Sequence, residues 1–141
     1  MSITGISIDD TCIQAWEEIK IKHLYRYIIF DFSKDLKKVI VSKKADRSAT
    51  YDDFLDDLPP KDVRYAVYDY DFKADDGTDR NKLVFVVWGP DAAPARRKMI
   101  ITGTKAGLKA ALSGISMEFQ ANDDSDIQES EMRAKCVSSA Y

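Results

Sequence analysis

The sequence predicts an α/β domain, α+β in some schemes, built on a central mixed β-sheet flanked by helices. Three observations carry that expectation. Two pairs of aromatic and β-branched runs are each divided by a short polar connection, as hairpins are. Apolar residues at helical spacing recur before, between and after those runs. Finally, 141 residues suffice for one hydrophobic core, and 45% hydrophobic with 32% charged residues is ordinary globular composition. A single domain over residues 1–141 is therefore expected, with no internal repeat or linker.

Taken in order, Met1 to Ile8 read as an extended, mobile lead-in, with residues 1–6 as a flexible tail. Asp9 and Asp10 then mark a helix start, where a carboxylate accepts orphan amide hydrogens. Cys12, Ala15, Trp16 and Ile19 form the inward face, so Trp16 is a core residue. Tyr25 to Phe32 and Lys38 to Ser42 make the first hairpin, turning at Ser33, Lys34 and Asp35. Thr50 and Asp53 form a capping box for a helix carrying Tyr51, Phe54, Leu55 and Leu58, which Pro59 and Pro60 stop. Arg64 to Phe72 and Lys82 to Trp88 form the second hairpin across an acidic, Gly77-containing turn. After Pro94, periodicity leaves helix and strand unresolved around Ile100 to Thr102, until Leu108, Ala111 and Leu112 restore helical spacing. A short strand at Ile115 to Gln120, a turn at Asp123 to Asp126 and an exposed helix over Glu129 to Val137 complete the chain.

Composition excludes several functions. A net charge of −3 lacks the positive field that nucleic acid requires. No apolar run approaches the roughly 20 residues of a membrane span. The start of the chain has no basic segment leading into an apolar one, which favours the cytosol. Cys12 and Cys136 are too isolated for a disulfide framework or metal cluster and read as packing residues. His23 is the only histidine, with no nucleophile placed for it by spacing, so no enzyme is predicted. A hydrolase using His23 and scattered acids is the least supported alternative. The pairs Asp52/Asp53, Asp56/Asp57 and Asp75/Asp76 lack calcium-loop spacing and read as solvated charge. No metal or cofactor is implied. What stands out is Arg96 to Met117, which carries Arg96, Arg97, Lys98, Lys105 and Lys109 without one acid, a local basic surface suited to an acidic partner.

The segment Trp88-Gly-Pro-Asp-Ala-Ala-Pro-Ala-Arg-Arg-Lys-Met99 resembles the central actin-binding signature of the actin-depolymerising factor/cofilin family. Thr50 to Pro59, Arg64 to Tyr70 and Arg80 to Phe85 resemble the same family in the same order, so the likeness spans nearly the whole chain. It implies the actin-depolymerising-factor homology fold, with a long helix carrying the basic signature. It implies a monomer that binds actin monomers and filament sides, prefers ADP-bound subunits and promotes depolymerisation and severing in the cytoplasmic actin cytoskeleton, with the nucleus as a second compartment. By that resemblance Arg96, Lys98 and Met99 contact one actin subunit, Lys105 and Lys109 extend the surface, and Thr4, Gly5 and Ile6 complete it. Arg97 is left as a solvated charge. Arg80, Lys82 and Lys135 match positions that touch a second filament subunit, and Thr4, with Ser2 nearby, matches a phosphorylated serine. The family usually has an acid at Ala106 and bases at Ala110 and Ala111, so weak severing and weak phosphoinositide binding are implied. Gly103 and Gly107 suggest a bent or frayed helix, each costing about 1 kcal/mol against alanine. A second reading is an interaction module of this fold acting on another actin-related assembly, as in glia maturation factor.

Overall fold

The computed structural model describes residues 5–115 and 117–139. Its elements run β1 (Ser7–Ile8), α1 (Asp10–Lys22), β2 (Tyr25–Phe32), β3 (Lys38–Asp46), α2 (Tyr51–Asp57), β4 (Arg64–Lys73), β5 (Asp79–Trp88), α3 (Ala95–Ala111), β6 (Met117–Ala121) and α4 (Glu129–Ser138). Six strands form one mixed sheet in the order β1-β3-β2-β4-β5-β6. The inner strands are antiparallel, while β1 joins β3 and β6 joins β5 in parallel.

Strands β2, β4 and β5 are apolar on both faces, which is why they read as nearly continuous hydrophobic runs rather than clean alternations. Tyr27, Ile29, Ala66, Tyr68, Tyr70, Val84, Val86 and Trp88 face one core, closed by Tyr51 and Phe54 of α2 and Met132 and Cys136 of α4. Ile28, Phe30, Tyr65, Val67, Phe85 and Val87 face the other, closed by Cys12, Ala15, Trp16 and Ile19 of α1 and Ile101 and Leu108 of α3. Two helices on each face complete the three layers. The first core is dominated by rings: Phe54 meets Tyr27 and Tyr68 edge-on, with centroids 5.1 and 5.0 Å apart.

The local signals act as expected. Asp9 caps α1 by accepting from the Thr11 amide. Thr50 and Asp53 exchange side-chain and backbone hydrogen bonds at 3.1 and 2.9 Å. Gly77 takes a positive φ of 84° at the tight turn between β4 and β5, a conformation costly for side chains bearing a Cβ.

Four expectations need correction. Part of the predicted mobile lead-in is ordered: Ser7 and Ile8 pair with Lys38 and Val39, and Ile6 is 5% exposed in the α1/α3 core. Strand β3 runs on to Asp46 because its lysine-rich end pairs with β2, where polarity concealed it. Helix α3 stays helical through Gly103 and Gly107, since Ile101, Thr104 and Leu108 bury one stripe and tertiary packing outweighs propensity. Helix α4 is exposed on its outer side only, with Met132 and Cys136 wholly buried.

Desolvation pushes the Cys12 thiol up to about 12 and the Cys136 thiol up to about 11. Both should therefore be inert to a thiol reagent at neutral pH until the chain unfolds. Labelling that tracks global unfolding in a urea series is the expected outcome, and rapid labelling of the folded protein would contradict this packing.

Candidate partner-binding surface

The segment leading into α3 is fixed at both ends. Trp88 Nε1 donates to the Pro59 carbonyl at 2.7 Å, and the Gly89 and Asp91 amides donate to the carbonyls of Ala121 and Asn122 at 3.0 and 3.2 Å. Ala93 is buried, and Pro94 then caps the helix with no side-chain hydrogen bond. The first turn holds no acid, so Arg96, Arg97 and Lys98 stand at the positive end of the helix dipole. Cations are disfavoured there. The arrangement breaks a local rule of helix design, as functional surfaces do.

The five cations that look alike in sequence are not alike in space. Arg96 is exposed, with no hydrogen-bond or ion-pair partner among the described residues. Lys98 is half-buried and its Nζ donates to the Asp91 carbonyl at 3.2 Å. Met99 is 73% exposed, a large apolar side chain at an otherwise polar helix start. At about 100° per residue, Arg96 and Lys98 fall on opposite sides of Met99 rather than in one stripe. The result is an apolar centre flanked by two positive charges. Lys105 and Lys109 instead both bridge Glu118 of β6, at 3.0 and 2.9 Å. Burial would raise the Glu118 carboxyl, but hydrogen bonds from Lys109 and Lys105 outweigh it and hold the group below its ordinary range.

Arg97 corrects the sequence reading most sharply. Its guanidinium forks onto Asp62, Nε to Oδ1 at 2.8 Å and Nη2 to Oδ2 at 3.2 Å, and reaches Asp31 at 3.2 Å. It also lies 5.5 Å over the Phe32 ring. Arg64 engages the same carboxylates, Asp62 at 2.9 Å and Asp31 at 3.4 Å. Desolvation of Asp62 is outweighed by hydrogen bonds from Arg97, Arg64 and the Val63 amide, so its carboxyl sits at about 2.

The other predicted contacts lie across the sheet. Arg80 and Lys82 occupy even-numbered positions on β5, opposite Phe72 and Tyr70, on the face that α2 and α4 cover. Arg80 pairs with Asp76 at 3.6 Å and donates to Thr78 Oγ1 at 3.2 Å. Lys135 of α4 is exposed and lies 5.8 Å over Phe119. Lys82, opposite Tyr70, and Lys135, over Phe119, lie on elements that bound the same core. The fold thus gathers Arg80, Lys82 and Lys135 on one face and separates them from α3. Gly5 is exposed at a φ of 74°, whereas Ile6 is in the core and offers no exposed side chain. Thr4 and Ser2 lie outside the described residues.

Residues with no chemical assignment in sequence acquire one in the fold. His23, at the left-handed C-cap of α1, holds wholly buried Asp69 at 2.8 Å, together with Arg47 at 2.8 Å and Asn81 at 2.9 Å. This is a structural tie between elements. The acid pairs are similarly engaged: Asp53 in the capping box, Asp57 with Lys43 at 2.8 Å, and Asp76 with Arg80. No spacing rule in the sequence identifies Glu118, Asp31 or Asp62 as partners of the basic helix.

The fold is thus an open, helix-covered sheet that presents an uncapped, positively charged helix start with an exposed methionine. The chain matches the family model described as cofilin/tropomyosin-type actin-binding protein over residues 5–137. It is 42% identical to actophorin from Acanthamoeba castellanii over 127 residues, covering 90% of this chain and 91% of that protein. It is 39% identical to cofilin from Schizosaccharomyces pombe, with coverages of 90% and 91%. The crystal structure of Streptomyces griseoflavus cofilin superposes with a TM-score of 0.86 at 37% identity, over 93% of this chain and 96% of that one. The chain belongs to the cofilin/actin-depolymerising factor family, whose members are actin-binding and non-enzymatic.

The Asp62 carboxylate supplies a pH test. Its folded value is depressed from 3.8 to about 2, so its stabilising effect is complete above the unfolded value and disappears as pH falls through the folded one. Asp62→Asn should lower the melting temperature at pH 5 to 7, and the gap to the parent should close between pH 4 and 2. A gap that is constant with pH would mean that the charge on Asp62 contributes nothing.

Proposed function

We propose that this protein binds actin monomers and the sides of actin filaments as a single-domain monomer and promotes filament disassembly. The observation that carries this reading is the start of α3, where exposed Met99 stands between Arg96 and Lys98 in a chain of this family. A helix entering a groove combines apolar contact from such a residue with charge pairing at its flanks. Rim charges set approach rate and orientation. Thr4 and Gly5 complete this surface in the same reading, whereas the Ile6 side chain is committed to the core.

Disassembly requires a second contact along the filament. Arg80, Lys82 and Lys135 supply it on the opposite face of the sheet, so that one molecule touches two subunits and favours a subunit arrangement the bare filament populates little. Preference for ADP-bound subunits and action in the cytoplasmic actin cytoskeleton, with entry to the nucleus, belong to the same reading. Phosphoinositide binding is weak in it, because Glu118 offsets one of the two charges of Lys105 and Lys109 and alanines follow where further bases would strengthen attraction to anionic lipid.

Two double substitutions separate the surfaces. Arg96→Ala with Lys98→Ala should weaken monomer titration and filament co-sedimentation together, by about 2 to 5 kcal/mol if the pairs are desolvated in the complex. Arg80→Ala with Lys82→Ala should weaken co-sedimentation while sparing the monomer titration. Unchanged binding by the first folded variant, or equal losses in both assays by the second, would overturn the respective assignment.

Control at Thr4, with Ser2 as the neighbouring alternative, follows from the same surface. Phosphate adds about −1.5 to −2 charges, which an acidic actin surface would repel. Thr4→Glu should co-sediment less than Thr4→Ala, with Ser2→Glu as the position control. Binding of Thr4→Glu at the parent level, confirmed with true phosphothreonine, would remove this switch.

A further inference from the structure

The inward stripe of α3 contains an anomaly. Ile101, Thr104 and Leu108 are its buried residues, and one turn before Ile101 the same stripe is occupied by Arg97. A helix start packed on a sheet would ordinarily place an aliphatic side chain there. Here a guanidinium is held by two carboxylates and laid over Phe32. Asp31 and Phe32 end β2, Asp62 lies just before β4, and Arg64 at the start of β4 joins the same two acids. Two arginines and two carboxylates balance, so the cluster adds no net charge to the surface around Arg96 and Lys98. Its contribution is geometric, because a forked pair fixes direction as well as distance.

The need for such a fixture is visible in the rest of the turn. Pro94 provides no side-chain cap, the first turn has no acid, and Arg96, Arg97 and Lys98 all oppose the helix dipole. Ala93 anchors the chain before the helix and Ile101 after its first turn, where the Tyr65 hydroxyl also donates to the Ile101 carbonyl. Between those anchors, Ile100 is only partly buried and Arg97 makes the directional contacts with the sheet side.

We propose that Arg97 is a positioning residue, which locks the first turn of α3 against the ends of β2 and β4 so that Arg96, Met99 and Lys98 meet actin in one fixed orientation. It rests on the actin-binding reading above, and it acts without touching the partner. Lysine cannot replace it, because a point charge does not reproduce the fork.

The sign of one substitution separates positioning from simple charge. Asp62→Asn removes a negative charge beside a basic surface, so long-range electrostatics alone would strengthen binding to an acidic partner. Positioning requires the reverse. Asp62→Asn, Arg97→Ala and Arg97→Lys should each weaken monomer binding by about tenfold, as loss of a supporting shell does. The double variant Arg97→Ala with Asp62→Asn should be no weaker than either single change, because both break one pair. Binding by Asp62→Asn at or above the parent level, full activity of Arg97→Lys, or additive losses would overturn the proposal. Amide hydrogen exchange provides the readout that is independent of actin. Residues 98–102, whose amides are the first in α3 with helical acceptors, should exchange at least about tenfold faster in Arg97→Lys, with β4 and β5 unchanged, as expected for local opening. Failure of the parent to bind actin would sink the functional reading while the exchange data still decide the clamp. Unchanged exchange in α3 would sink the clamp whatever the partner.

Discussion

The ladder between β4 and β5 is the constraint from which the rest of the molecule follows. Ten consecutive residue pairs, from Arg64 opposite Trp88 to Lys73 opposite Asp79, hold register without a bulge. Successive side chains therefore go alternately into the two cores, and a slip of one residue would move every ring and aliphatic group to the wrong face. Because both faces are apolar, each demands a cover of helices. β6 joins β5 in parallel because α3 carries the chain back across the sheet between them, whereas β1 pairs in parallel with β3 with both α1 and β2 between them in sequence. The ladder also delivers Trp88 to the point where the chain must turn into α3, and places Arg80 and Lys82 at its far end on the other face.

Much of this was legible in sequence because each central element carried two agreeing signals. β2 is an aromatic and β-branched run with a polar turn behind it, and its expected bounds, Tyr25 and Phe32, are those observed. α2 has a capping box at one end and two prolines beyond the other. The errors fell where only one signal exists. β1 is two residues long, and its existence depends on a parallel partner thirty-one positions away, which no local pattern encodes. The lysine-rich end of β3 looks like a loop by composition, yet Lys43 and Lys44 lie opposite Ile29 and Ile28 in the sheet. The span after Pro94 is ambiguous because Ile100, Ile101 and Thr102 are consecutive β-branched residues that suit a strand as well as a helix, and only Ile101 of the three is buried in the fold.

The candidate surface was legible as a charge pattern but not as a charge distribution. A linear count credits α3 with five equivalent cations. Folding brings Glu118 under Lys105 and Lys109, and Asp31 and Asp62 under Arg97. Those acids lie in β6, at the end of β2 and just before β4, so their proximity is a product of topology. The family likeness identified Arg96, Lys98 and Met99 as residues of interest. What it could not convey is that Arg97, between Arg96 and Lys98 in sequence, is held by Asp62 and Asp31 against the ends of the sheet strands.

Two demands on one helix turn explain why that division of labour is needed. A surface intended for an acidic partner should keep its cations unpaired, since a cation already satisfied by its own chain has less to gain from a new contact. An unpaired cluster at a helix start, however, repels the dipole and itself and so favours fraying. Burying an aliphatic residue at position 97 would hold the turn down but would leave all remaining stabilisation to a few methylene groups, without directional control. A forked arginine on two acids holds the turn in one orientation and cancels its own charge locally. Arg96 is left exposed, Lys98 is lightly tethered to the Asp91 carbonyl, and Met99 stands out into solvent between them. On the reading proposed above, the same turn contains both the part that faces the partner and the part that aims it.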